Sequence, residues 1–211
     1  MPYNHPEFVR IYRAFDMGFM PDPAYCLWIA HLGKRYIAFK EKTWYKTVAS
    51  DIAKDILEES NGMRIITTYC DPSIDIHTGA DILTIKGIFE QNGVPMENSI
   101  NNREHFAHAV HTALAEEVEP GIPRLQIYSK GCPYLIKAIP QQRYNPKHPM
   151  AMADQKNDHP VVTLAYFLMS HSSEERHAIP SLTKAKKWMR PKPGERHVLG
   201  ADGVRSDTSA Y

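Results

Sequence analysis

Cysteine is scarce in this chain: Cys26, Cys70 and Cys132 are the only three in 211 residues. Their odd number and scattered, apolar surroundings exclude a disulfide framework and a zinc knuckle, and a reduced, cytosolic setting is expected. Net charge is also nearly absent, at a formal +1. A global basic signature is therefore missing, and any nucleic-acid role has to come from local patches. No run is long and apolar enough to span a membrane, so no membrane partner is expected. The first residues, MPYNHPEF, lack the pattern of a signal peptide. The chain has no G-x-x-x-x-G-K loop followed by Ser or Thr, and ATP hydrolysis is not expected of it. No internal repeat is visible.

Hydrophobic residues make up 43% of the chain, enough for one sizeable core, and one domain is expected over residues 1–171. After His171 the composition becomes charged and rich in proline and glycine. Residues 172–211 read as a helical remnant and a flexible basic tail; from Ser181 onward Lys184, Lys186, Lys187, Arg190, Lys192, Arg196 and Arg205 face only Glu195, Asp202 and Asp207. A solubilising role and a DNA-contacting role fit that tail equally.

Strand-like and helix-like stretches alternate through the first 171 residues. Phe8 to Phe15, Ala24 to Leu32 and Arg35 to Thr43 read as three strands of a meander, with Gly33-Lys34 as a hairpin turn. Thr47 to Glu59 has Val48, Ile52 and Ile56 on one helical face, and Asn61-Gly62 stops it. RIITTY, Arg64 to Tyr69, lacks alternation, as a strand buried on both faces does. Asp81 to Gln91 reads as a helix, as does the stretch from Asn101 to about Glu117, and Arg124 to Tyr128 as a fifth strand. Cys132 to Ile139 follows as a short helix. Arg143 to Asn157, polar and proline-containing, reads as a loop, and VVTLAYFLM after Asp158-His159-Pro160 as a last apolar helix.

Three of these elements deliver carboxylates to their ends. Asp16 closes the first strand, with Gly18 directly after it. Asp71 closes the fourth strand, before Pro72, and Asp158 stands just before the last helix, where the dipole favours its ionised form. Asp-x-Gly and Asp-Pro are also ordinary turn pairs. A meander followed by helix-crossed strands predicts a mixed α/β sheet of five strands with helices on both faces. In such a sheet the first and fourth strands can lie side by side and parallel, which brings Asp16 and Asp71 to one rim within reach of Asp158. Ionised carboxylates crowded in this way call for a divalent cation, and hard oxygen donors suit Mg²⁺ or Mn²⁺. Two such ions serve phosphodiester hydrolysis.

These motifs, in this order, resemble the C-terminal nuclease domain of the large terminase subunit of tailed bacteriophages, an RNase H-like fold. FDMGFMPDPAYCLWIA resembles the first motif of that family and RIITTYCDPSI the second, with EQNGVPM downstream. IYSKGCPYLIKAI and QQRY resemble the segment before the last motif, and NDHPVVTLAYFLM the last motif itself. The resemblance covers roughly Arg10 to Met169. It implies a two-metal endonuclease that cuts double-stranded viral DNA concatemers during packaging, with little sequence specificity, in the host cytoplasm. The implied partners are DNA, an ATPase motor domain, the small terminase subunit and the portal. Asp16 and Asp71 carry over as the first two metal ligands. Relatives with an Asp one helical turn into the last helix have its counterpart here in Val162, which cannot bind metal. Asp158, with His159 as inner ligand or water contact, and Asp154 remain the candidates for the third ligand. With the motor motif lacking, the chain is an excised domain or a stand-alone nuclease.

Two other functions stay open at this level. One is a resolvase- or RNase H-like nuclease on branched or hybrid nucleic acid. The other is a DNA-binding or assembly module that lost a ligand at Val162. Lys34, Arg35, Lys40, Lys42 and Lys46 are the candidate duplex grip. His105, His108 and His111 read as a solvated helix face, as do Asp51, Asp55 and Glu58, while Trp28, Tyr36, Phe39 and Trp44 read as packing residues.

Overall fold

The structure, a computed structural model, describes residues 9–19, 21–76, 83–153 and 157–178. The chain divides into two units, Met1–Glu174 and Glu175–Tyr211. The expected basic tail falls, beyond residue 178, outside the described residues, and so does Asp154.

The elements of the first unit begin with strands β1 (Arg10–Asp16), β2 (Ala24–Leu32) and β3 (Arg35–Trp44). Helix α1 (Ala49–Glu59), strand β4 (Ile65–Cys70), helix α2 (Ile85–Gln91) and a two-residue strand β5 (Glu97–Asn98) follow. Next come α3 (Arg103–Ala115), β6 (Glu117–Glu119), β7 (Ile122–Pro123), β8 (Leu125–Ile127) and α4 (Pro133–Ala138). Strands β9 (Tyr144–Asn145) and β10 (His148–Met152) lead into α5 (His159–Ala178).

The main sheet has the order β5-β4-β1-β2-β3-β8. β1, β2 and β3 form the antiparallel meander, turned at Gly33 with φ +61°. β4 lies parallel to β1, β5 parallel to β4, and β8 parallel to β3. The expected mixed sheet is therefore present with a sixth strand, β5, too short to be read from two residues of sequence. Arg143 to Asn157, expected to be a loop, instead contains the hairpin β9–β10. Its prolines hid it, and the turn is made locally, with Asn145 Oδ1 accepting the Lys147 N–H at 2.9 Å. β6 and β7 pair around Gly121, φ +74°, where the sequence predicted only a helix stop. α2 starts at Ile85, capped by Thr84 Oγ1 accepting from Gly87 N–H, later than expected; Asp81 and Ile82 lie outside the described residues.

Alternation along β1 sorts its side chains between two cores. Tyr12 and Ala14 pack with Phe106 and Val110 of α3, Leu135 of α4 and the start of α5. Ile11 and Phe15 pack with Trp28, with Ile52 and Ile56 of α1 and with Phe89 of α2. Helices thus cover both faces. Every residue of α5 from Val161 to Leu168 is buried, so this helix is a core element rather than an amphipathic cover. Gly131 fits because its backbone meets β3: a Cβ there would lie 1.9 Å from the Phe39 carbonyl oxygen.

Candidate functional site

Phe15 and Cys70 are register partners in the parallel β1–β4 pair, so Asp16 and Asp71 follow one another off the same edge of the sheet. Both point to the α5 side, since Ala14 and Tyr69 of the same parity belong to that core. Asp16 is 9% exposed. Gly18 lets the chain turn back at once: a Cβ there would stand 2.4 Å from the Pro23 carbonyl oxygen and 2.5 Å from that of Asp22. The space beside Gly18 is thus filled by the chain's own backbone, which brings Asp22 toward α5. Asp71 makes the turn as well as the site. Its Oδ1 accepts the Ser73 N–H at 2.7 Å, while Oδ2 accepts from Tyr166 Oη at 2.5 Å and Asn101 Nδ2 at 3.4 Å.

The start of α5 closes the site from above. The Asp158 carbonyl accepts the N–H groups of Val161 and Val162 at 2.9 and 3.0 Å, and the buried Asp158 carboxylate lies 3.4 Å from Arg103 Nη1. His159 Nδ1 is 2.5 Å from Asp16 Oδ2, and its Nε2 is 3.8 Å from Asp22 Oδ1. Tyr166 sits two turns further along the same helix, a spacing that aligns it with His159.

Burial raises the pKa of Asp16; the bond to His159 offsets part of that rise and the charge of Asp71 adds to it. Burial works against a charged His159, yet the bond and charge of Asp16, with the charges of Asp158 and Asp22, together raise the imidazole pKa. The Tyr166 hydroxyl is pushed up by burial and by the charges of Asp16 and Asp71, so it stays a donor.

The structure brings together Asp16, Asp71 and His159, and sets Asp158 at the same end through Arg103, whose charge also acts on Asp16. Val162 is buried in the core. Among the described residues, no group of three or more His, Cys, Asp or Glu side chains could hold a metal ion by itself. The donor set nevertheless fits a hard divalent cation. Two carboxylates, one of them buried, leave adjacent parallel strands, and Mg²⁺ takes one or two carboxylates with water and substrate oxygens as its other ligands.

The expected basic grip is divided. Lys40 is paired with Glu59 and lies over the Trp28 ring, 5.2 Å from its centroid. Lys42 is 2.8 Å from both Asp55 and Glu59. These two lysines tie β3 to α1. Lys34 and Arg35 sit at the hairpin, where Arg10 pairs with His31, at the opposite end of β1 from Asp16. Lys46 follows the other end of β3, where Thr43 and Tyr25 stand in register with Asp16. His105, His108 and His111 are exposed on α3, and Asp55 serves Lys42 and Trp44 rather than the site. Arg103, Asn101, Asp22 and Tyr166 were missed in the sequence. Only the seven-residue step from His159 to Tyr166 signalled one of them.

No protein-family model and no curated protein sequence matches the chain. Solved structures do. The large terminase of a thermophilic bacteriophage, in complex with ATP-gamma-S, superposes with a TM-score of 0.63 at 14% identity, covering 76% of this chain and 40% of that protein. The P22 large terminase nuclease domain gives 0.64 at 12% identity, covering 81% of this chain and 86% of that domain. The large terminase nuclease of another thermophilic phage, G20c, gives 0.51 at 13%, covering 78% and 82%. The chain thus spans about two fifths of the length of the first of these proteins. With its mixed sheet and helices on both faces, it has the RNase H-like fold of the large terminase nuclease domains.

Proposed function

We propose that the chain is a metal-dependent endonuclease that cuts double-stranded DNA with little sequence preference, acting on viral concatemers during packaging. The observation that carries this reading is the pair Asp16 and Asp71, leaving parallel neighbouring strands under the start of α5. The fold shared with the P22 nuclease domain supports it. In this reading Asp16 and Asp71 would hold Mg²⁺ or Mn²⁺ with water and substrate oxygens, and Asp158 would be the candidate third ligand. The chemistry such ions supply is charge that activates water and stabilises a leaving oxygen. His159 orients Asp16 through Nδ1, a role that outer partners of metal ligands commonly fill. Tyr166 and the Ser73 N–H fix the two oxygens of Asp71, and Arg103 pairs with Asp158. One structural neighbour is a large terminase bound to ATP-gamma-S, of which this chain matches less than half. An ATPase motor, the small subunit and the portal are proposed as partners, and the host cytoplasm as the place of action.

Plasmid cleavage with Mn²⁺, with Mg²⁺ and with EDTA tests this reading, using wild type and Asp16→Asn side by side. Metal-dependent nicking and linearisation are expected from wild type, with a loss on the order of 10²-fold or more in the variant. A variant as active as wild type would overturn the assignment. Val162, together with the want of a closed ligand cluster among the described residues, favours a second reading: a module that binds DNA without cutting it. DNA binding without any metal-dependent cleavage would establish that one.

A further inference from the structure

Beside the carboxylates lies a cleft of about 140 Å³ that their chemistry does not use. Its walls include Tyr45, Tyr134, Lys137, Gln141, Asn157 and His159. His159 is common to cleft and site, because its Nδ1 faces Asp16. The volume is below the ~300 Å³ at which sites for drug-sized molecules begin, so the cleft suits a single flat ring system.

Three features give it the character of a built site. Tyr45 and Tyr134, both in its lining, are 60% and 57% exposed, two large aromatic surfaces left open. The backbone there is held in place. Glu41 accepts the N–H groups of Tyr134 at 2.5 Å and Leu135 at 3.0 Å and the Tyr25 hydroxyl at 2.5 Å, pinning α4 to β3. Finally, Lys46 and Asn157 are the non-glycine residues with positive φ among those described, at +53° and +68°. One adjoins Tyr45 and the other lines the cleft, and such strained positions gather at ligand sites.

We propose that this cleft receives one unstacked nucleobase of a strand whose backbone passes Asp16 and Asp71. Tyr45 and Tyr134 offer ring faces, and Gln141 and Asn157 offer amide donors and acceptors to a base edge. Lys137 reaches a flanking phosphate. The inference rests on the nuclease reading for its substrate, and it gives that substrate a preference: DNA whose pairing is weak beside the cut, where drawing out a base costs least.

The test is binding, measured apart from cutting. The full chain in EDTA is titrated against a short single-stranded oligonucleotide carrying one 2-aminopurine, and the same strand with an abasic position instead serves as unlabelled competitor. A 2-aminopurine fluorescence change on binding is expected, and the unlabelled abasic strand is expected to displace the 2-aminopurine strand less well than an unlabelled strand with an ordinary base at that position. Tyr134→Ala is expected to weaken binding on the order of 10-fold and Tyr134→Phe to restore it. Tyr134 is exposed, so the truncation leaves the core alone, and circular dichroism checks the fold. Equal displacement by both unlabelled strands, or equal binding by Tyr134→Ala and wild type, would overturn the cleft assignment even if plasmid is cut. Base-dependent binding lost in Tyr134→Ala, with no metal-dependent cutting, would overturn the nuclease reading and leave the cleft standing.

Discussion

At Asp16 the chain buries a carboxylate beside a second one, and His159 offsets only part of the penalty. Its pKa in the fold is raised above the unfolded value. Folding therefore disfavours the charged form near neutral pH, and the penalty fades as pH falls through the raised pKa. Without metal, Asp16→Asn is expected to melt above wild type near neutral pH, with the gap closing on acidification; thermal melts in EDTA read this. His159→Ala is expected to lower metal-dependent cleavage roughly 10- to 100-fold, through loss of orientation at Asp16. The three cysteines present the opposite case, groups kept inert. All are buried, and burial pushes each thiol up to about 12. A thiol reagent near pH 8 is expected to label them only after unfolding, which absorbance titration with and without denaturant would show. Gly18→Ala forces a methyl group against the Asp22 and Pro23 carbonyls and is expected to destabilise by about 1–3 kcal/mol in urea melts.

The contact of β3 with α1 works through charge. Lys42 bridges Asp55 and Glu59, the side chains being about one third exposed, and Trp44 Nε1 donates to Asp55 at 2.7 Å. The bonds from Lys42 and Trp44 hold Asp55 below the usual carboxylate range, and those from Lys40 and Lys42 do the same for Glu59. Both carboxylates contribute stability above their unfolded pKa, and lose it as pH falls through the lowered folded values. Asp55→Asn is expected to cost at most ~1 kcal/mol near neutrality and to flatten the acid limb of a stability-against-pH curve. These lysines also show where sequence reading fails. Lys40 and Lys42 looked like a grip on DNA because a strand shows its charges but not the helix that will meet them. The meander, the parallel neighbourhood of β1 and β4 and the placing of Asp16 and Asp71 were legible, because each rests on a local apolar run with a turn residue at its end. The hairpin β9–β10 was not, since its pairing is made by two short stretches with proline between them. Arg103 was invisible for a third reason: its role depends on how α3 is set against α5, which no local pattern encodes.

At the scale of the whole first unit, both faces of one sheet are covered and the helix that completes the site is itself core. Binding at Asp16 and Asp71 is therefore coupled to global stability. A ligand that binds only the folded state raises the melting temperature with its concentration. Mn²⁺ is expected to do so for wild type and not for Asp16→Asn, in a titration followed by thermal melts. The bond from His159 to Asp16 also spans 143 positions of sequence. Contacts that distant close large loops and form late in folding. During synthesis Asp16 and Asp71 emerge long before the helix that positions them. A nascent or half-folded chain thus carries the acidic residues without their geometry, and the arrangement of Asp16, Asp71 and His159 comes into being only when nearly all of the first unit has left the ribosome.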